Sequence, residues 1–125
     1  MMQSPVLIID DEKDICFLLG KVLSEKNYAV HIANTLSDGL AMLNAKKPSI
    51  LFLDIRLPDG SGLEVLRDIR VQHPHLKIVM MSAYDGMKER KQAMESGADL
   101  FLGKPLNIAA IREALKTIHT EPTQN

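Results

Sequence analysis

Cys16 is the only cysteine in 125 residues, so no internal disulfide can form. A reducing cytosol is the compartment this favours. Charge of either sign is not in excess: 15 basic residues against 16 acidic ones leave a net charge of -1. That balance supplies no whole-domain attraction to nucleic acid or to an anionic membrane. Long apolar runs are missing too. Nothing approaches the roughly eighteen residues a membrane span requires. The start, "MMQSPVLIIDDE", has neither the basic end nor the apolar stretch of a signal peptide. Internal repeats, low-complexity tracts and an internal linker are also absent. What is present is an apolar share of 46%, normal for one packed core at the usual size of one domain.

The apolar residues are organised by two periods. "VLII" at 6–9, "ILFL" at 50–53, "IVMM" at 78–81 and "LFL" at 100–102 are continuously apolar. Strands buried on both faces of a parallel sheet read this way. "YAVHIA" at 28–33 alternates more and suits a strand nearer an edge. Between these runs a helical period takes over. Ile15, Leu18, Leu19, Val22 and Leu23 form one stripe, and Ile108, Ile111, Leu115 and Ile118 form another. Leucines at 36, 40 and 43 predict a helix over 35–46, and Leu63, Leu66 and Ile69 one over 62–72. Ser61 stands three residues before Glu64, the spacing of a capping box. The segment 85–96 is the helix with fewest apolar residues, and Gly97 suits its C-terminal end. Strict β-α alternation predicts an α/β fold: a flavodoxin-like (βα)5 three-layer sandwich around a parallel sheet of order 2-1-3-4-5. The domain spans 1–119; the polar tail 120–125 is a frayed end or the start of a linker.

The polar residues then fall at one edge. Asp10 and Asp11 end the first strand, Asp54 the third and Ser82 the fourth, while Lys104 follows the fifth. Open parallel sheets bind ligands beyond the carboxyl ends of their strands, where strand order reverses. Taken singly, each of these residues has an ordinary explanation: Asp11 as a helix cap, Ser82 as a turn residue, Lys104 as a surface lysine. Their convergence is harder to explain that way. Three neighbouring carboxylates repel one another and call for a counter-charge. A hard cation such as Mg²⁺ takes one or two carboxylates and keeps waters and phosphate oxygens as its other ligands. A remaining carboxylate can serve as nucleophile, as aspartates do in forming aspartyl-phosphates. Lys104 and the Ser82 hydroxyl suit the transferred oxygens.

"DD" at 10–11, "LFLD" ending at 54, "PDGSG" at 58–62, "MSA" at 81–83 and "FLGKP" at 101–105 occur in this order. With these motifs the chain resembles the receiver domains of two-component response regulators over residues 5–119. The resemblance implies that Asp54 accepts a phosphoryl group from the phosphohistidine of a sensor histidine kinase or histidine phosphotransfer protein. It implies Mg²⁺ (or Mn²⁺) on Asp10, Asp11, Asp54 and the backbone carbonyl of Arg56, with Ser82 and Lys104 on the phosphoryl oxygens. It makes Phe101 an aromatic switch that turns inward as Ser82 moves, and the Lys104–Pro105 bond cis. Output would pass through the face built from the fourth helix, fifth strand and fifth helix, which could also dimerise. Arg56 and Tyr84 occupy positions that influence self-dephosphorylation, and their bulk favours a long-lived acyl phosphate. An output domain beyond residue 125, or a stand-alone relay, would both fit a cytoplasmic phosphoacceptor that is not a classical enzyme and does not itself bind nucleic acid or membrane.

Two other readings stay open at this stage. An aspartate-nucleophile phosphatase would commonly show a D-x-D pair, whereas the strand 1 aspartates are adjacent. A phosphorylation-independent receiver, acting as a protein-interaction module, would have no need of the intact Asp11, Asp54, Ser82 and Lys104. His73 and His75 read as exposed loop residues, since two ligands do not close a metal site. Cys16 reads as a packing residue off the site. "KERK" at 88–91 reads as a solvated helix face. Gly60 and Gly62 alone are too little for a dinucleotide site.

Overall fold

The computed structural model describes residues 4–83 and 86–119. Strands β1 (Pro5–Ile9), β2 (Ala29–Ala33) and β3 (Ile50–Asp54) alternate with helices α1 (Lys13–Glu25) and α2 (Leu36–Lys46). A short hairpin, β4 (Arg56–Leu57) and β5 (Gly60–Ser61), precedes α3 (Gly62–Gln72). Then come β6 (Lys77–Ser82), α4 (Met87–Glu95), β7 (Leu100–Gly103) and α5 (Ile108–His119). The main sheet has the order β2-β1-β3-β6-β7, and every pairing in it is parallel. This is the expected 2-1-3-4-5 order, with β6 and β7 as the fourth and fifth strands.

The alternation of side chains along each strand divides the core into two layers. Leu7, Ile9, Leu51, Leu53, Ile78 and Met80 point to one face, where Leu43 of α2, Leu66 and Ile69 of α3 and Ala93 of α4 cover them. Val6, Ile8, Ile50, Phe52, Val79 and Met81 point to the other, under Leu19 and Leu23 of α1 and Ile111 and Leu115 of α5. Both faces are therefore buried, which is why these strands are apolar throughout. Fully burying each such side chain contributes roughly 1.5–3 kcal/mol. The strand at 28–33 is half-buried and lies at the sheet edge, as its mixed composition suggests.

Helix ends follow local chemistry, with some departures. Ser61 caps α3, but its hydroxyl accepts from the Leu63 amide at 3.2 Å and not from the Glu64 amide, the donor in a capping box. Asp11 caps nothing: the N-cap of α1 is Glu12, without a side-chain cap bond. Gly97 ends α4 with φ +118, a conformation side chains rarely adopt. Behind it Arg70 donates to the carbonyls of Gly97, His73, Pro74 and Leu76 and pairs with Asp99 at 2.9 Å. One guanidinium thus ties together the loops at the amino-terminal edge of the sheet. His73 is only half-exposed, with a buried ring nitrogen lacking a partner, so the exposed-loop reading holds for His75 alone.

Candidate functional site

β1 and β3 lie side by side, and their chains leave the sheet together at the switch point. Asp10 follows β1 and Asp54 closes β3, so the continuous apolar runs before them drag both carboxylates into the protein. Asp10 is 0% exposed and Asp54 4%; Asp11 is exposed. Carboxylate oxygens of Asp10, Asp11 and Asp54 all lie within 4.8 Å of one another. The backbone is held tightly here. Asp10 Oδ1 accepts from the Glu12 amide at 2.8 Å, and the Asp10 carbonyl accepts from Asn34 Nδ2 at 2.9 Å and Cys16 Sγ at 3.3 Å. Cys16 therefore packs against the site instead of away from it. Burial, then the charge of Asp10, pushes its thiol up to about 11, so it is a neutral donor. Gly62 approaches so closely that an added Cβ would stand 2.3 Å from the Asp54 carbonyl oxygen.

Lys104 reaches into the acidic group from the end of β7. Its Nζ lies 2.9 Å from Asp10 Oδ2, 3.3 Å from Asp54 Oδ2 and 2.5 Å from Glu12 Oε1, and its side chain is 8% exposed. Burial works against its charge, but the hydrogen bond to Glu12, the ion pair with Asp10 and the charge of Asp54 outweigh it and hold the ammonium above its ordinary range. Burial raises Asp10, opposed by the Glu12 amide and by Lys104. Asp54 is raised to about 6, first by burial and then by the charge of Asp10, against the pull of Lys104 and the Arg56 amide. One lysine does not neutralise this many carboxylates.

The donor set fits a hard divalent cation. All three side chains offer oxygen, and Asp10 Oδ2 makes no well-directed hydrogen bond although the ammonium is close. A buried carboxylate oxygen with room for another partner, beside two more carboxylates, is what such a cation needs. The group could hold a metal ion.

Ser82 ends β6 beside Gly103 and is 0% exposed. Its hydroxyl donates to Glu89 Oε1 at 3.2 Å. Phe101 is already largely buried, under the Arg90 guanidinium, which lies 4.7 Å from the ring centre. The Lys104–Pro105 bond is cis. Tyr84 lies outside the described residues. "KERK" is not simply a solvated face, because Glu89 faces Ser82 and Arg56 while Arg90 covers Phe101. Sequence reasoning missed Glu89 and Glu12; for Glu12 the only signal is its place beside "DD". It also missed Asp59, whose carboxylate accepts from the Leu36 and Ser37 amides at 2.7 and 2.9 Å and so caps α2 from the hairpin turn.

A doubly wound sheet carrying buried carboxylates and a lysine at its switch point is a build shared with known signalling modules. The family model described as response regulator receiver domain matches residues 6–116. The chain belongs to the response regulator receiver domain family. It is 33% identical over 117 residues to the response regulator protein PilR of Pseudomonas aeruginosa, covering 94% of this chain and 26% of that protein. It is also 33% identical over 123 residues to the nitrogen assimilation regulatory protein NtrX of Azorhizobium caulinodans, covering 94% and 27%. The chain thus spans about a quarter of the length of the curated relatives it matches. A two-component response regulator from Clostridium difficile superposes with TM-score 0.89 at 30% identity, covering 98% of this chain and all of that one. A CheY-like receiver domain protein from Methanospirillum hungatei gives 0.85 at 30%, covering 92% of each. The receiver domain family is a phosphoacceptor signalling module.

Proposed function

We propose that Asp54 is the phosphoryl acceptor and that a phosphohistidine on a sensor histidine kinase or phosphotransfer protein is the donor. The observation that carries this is the nearly buried Asp54 carboxylate within 4.8 Å of those of Asp10 and Asp11 and 3.3 Å from Lys104 Nζ. An Asp54 oxygen attacks phosphorus, the P–N bond breaks, and the imidazole nitrogen leaves with the bonding pair and takes up a proton. With Asp54 raised to about 6, the carboxylate is the main form at neutral pH and is poorly solvated, both of which favour attack. Asp10, Asp11, Asp54 and the Arg56 carbonyl would hold Mg²⁺ or Mn²⁺. The cation supplies positive charge to the transferred oxygens. Lys104 then exchanges a carboxylate partner for a phosphoryl oxygen, and Ser82 donates to another. Attack of water on phosphorus breaks the bond from the Asp54 oxygen to phosphorus, releases inorganic phosphate and returns Asp54 to the free carboxylate.

Residues 1–119 form the receiver unit of a cytoplasmic regulator. Among the described residues no helix is long and apolar enough to cross a membrane. The α4–β7–α5 face carries the output to a further domain or a second copy. Arg56 lines a cleft of about 220 Å³ with Asp11, Glu12, Asp54, Ala83 and Lys104, and there it screens the acyl phosphate from water. Arg56→Asn, alone or with Tyr84→Glu, should lose phosphoryl faster; unchanged or slower loss sinks that shielding role. The acceptor itself is tested by intact mass after incubation with Mg²⁺ and acetyl phosphate. One added phosphoryl group, absent in Asp54→Asn, is expected. No gain in the wild type would favour a phosphorylation-independent interaction module.

A further inference from the structure

Glu89 bridges two elements of the site with its two oxygens. Oε1 accepts the Ser82 hydroxyl at 3.2 Å, and Oε2 accepts Arg56 Nη2 at 2.9 Å. Ser82 ends β6, Arg56 lies two residues past Asp54, and Glu89 sits in the first turn of α4. Glu89 is 23% exposed and Arg56 57% exposed at the side chain, so the Ser82 end of the bridge is the drier one.

A serine hydroxyl has one proton to donate. A phosphoryl group on Asp54 brings three strong acceptor oxygens into the cleft. Ser82 cannot donate to that group and to Glu89 at once. We propose that Glu89 is a positioning residue that holds Ser82 in its resting orientation, with Arg56 anchoring the carboxylate. Phosphorylation then has to break the Ser82–Glu89 bond, which sets the equilibrium between the resting and activated arrangements. Only such a contact, present in one state alone, can bias a two-state equilibrium. The release has a route outward. Arg90, the next residue of α4, lies over the Phe101 ring and its Nη1 donates to the Phe101 carbonyl at 3.4 Å. A shift of this helical turn thereby reaches β7.

The inference rests on Asp54 as acceptor, and the test separates the two. Beryllofluoride with Mg²⁺, a mimic of the phosphoryl group, is titrated into wild type, Glu89→Ala, Ser82→Ala and the double variant, followed by two-dimensional NMR. Removing a hydrogen bond to a charged acceptor that must be broken on binding should tighten beryllofluoride binding by roughly tenfold. In the Ser82→Ala background the same change should have no effect, because the bond it relieves is gone. Glu89→Gln keeps the helix and an acceptor oxygen without the charge, and should give a smaller gain in the same direction. If Glu89→Ala does not fold, the Gln variant decides. Binding no tighter than wild type, or an equal gain with and without the Ser82 hydroxyl, overturns the role of Glu89. A wild type that takes up no beryllofluoride overturns the acceptor reading instead.

Discussion

Replacing Asp54 by asparagine should make the protein more stable, although it removes the proposed acceptor. In the fold the Asp54 carboxyl sits at about 6 against an ordinary 3.8, because burial and then the Asp10 charge disfavour its ionised form. At 1.36 kcal/mol per pH unit, holding it ionised costs the native state about 3 kcal/mol. The side chain is 5% exposed, so solvent does little to screen this cost. Above about pH 6 the whole cost is present. As pH falls through 6 the native state takes up the proton before the unfolded chain does, and the cost shrinks; below 3.8 both are protonated and it vanishes. The asparagine amide would carry no charge at any pH. Urea unfolding followed by far-UV circular dichroism in EDTA should therefore show Asp54→Asn ahead by about 3 kcal/mol at pH 7.5, with the gap closing toward pH 4. Adding Mg²⁺ should narrow the gap from the other side, since a cation that binds only the native state stabilises the wild type most. A variant no more stable than wild type at pH 7.5, or an advantage that is the same at pH 7.5 and pH 4, refutes the reasoning.

Gly62→Ala should cost about 2–4 kcal/mol in the same urea assay and lower phosphoryl uptake from acetyl phosphate, because the new Cβ meets a backbone oxygen of Asp54 that cannot yield without moving the acceptor. Asp59→Ala should lower the thermal midpoint at pH 7. The Leu36 amide and then the Ser37 amide hold the Asp59 carboxyl below its ordinary range, so its contribution is full above that range and is lost as pH falls below it through the lowered folded value. The difference between wild type and Asp59→Ala should accordingly close on acidification; a difference that persists at low pH would mean that Asp59 acts by something other than capping.

The carboxylates were legible in the chain because each follows a run of apolar residues. A strand buried on both faces can be only one kind of sequence, and alternation with helices leaves one edge at which all strands end. Ser61 was legible for a similar local reason, as a hydroxyl at a helix start. The hairpin Arg56–Leu57 and Gly60–Ser61 was not, since strands of two residues carry no period. Nor were the partners that tune the site. Glu12 meets Lys104 across 92 residues, Asp59 meets Leu36 across 23, and Glu89 meets Arg56 across 33.

By itself the order of apolar runs, helical stripes and terminal aspartates determined the α/β alternation, the parallel sheet and the carboxyl edge at which Asp10, Asp54, Ser82 and Lys104 fall, and the number of strands and the chain length fitted the order 2-1-3-4-5 that the sheet has. Local pattern suffices there, because burial of both sheet faces dictates residue type at every strand position. Only the tertiary structure decided which charged side chain faces which. An acid on an exposed helical turn has the same appearance in sequence whether it points to water, as expected of 88–91, or turns in toward Ser82, as Glu89 does. That choice is made by the packing of α4 against the sheet, which brings together groups that no spacing along the chain connects.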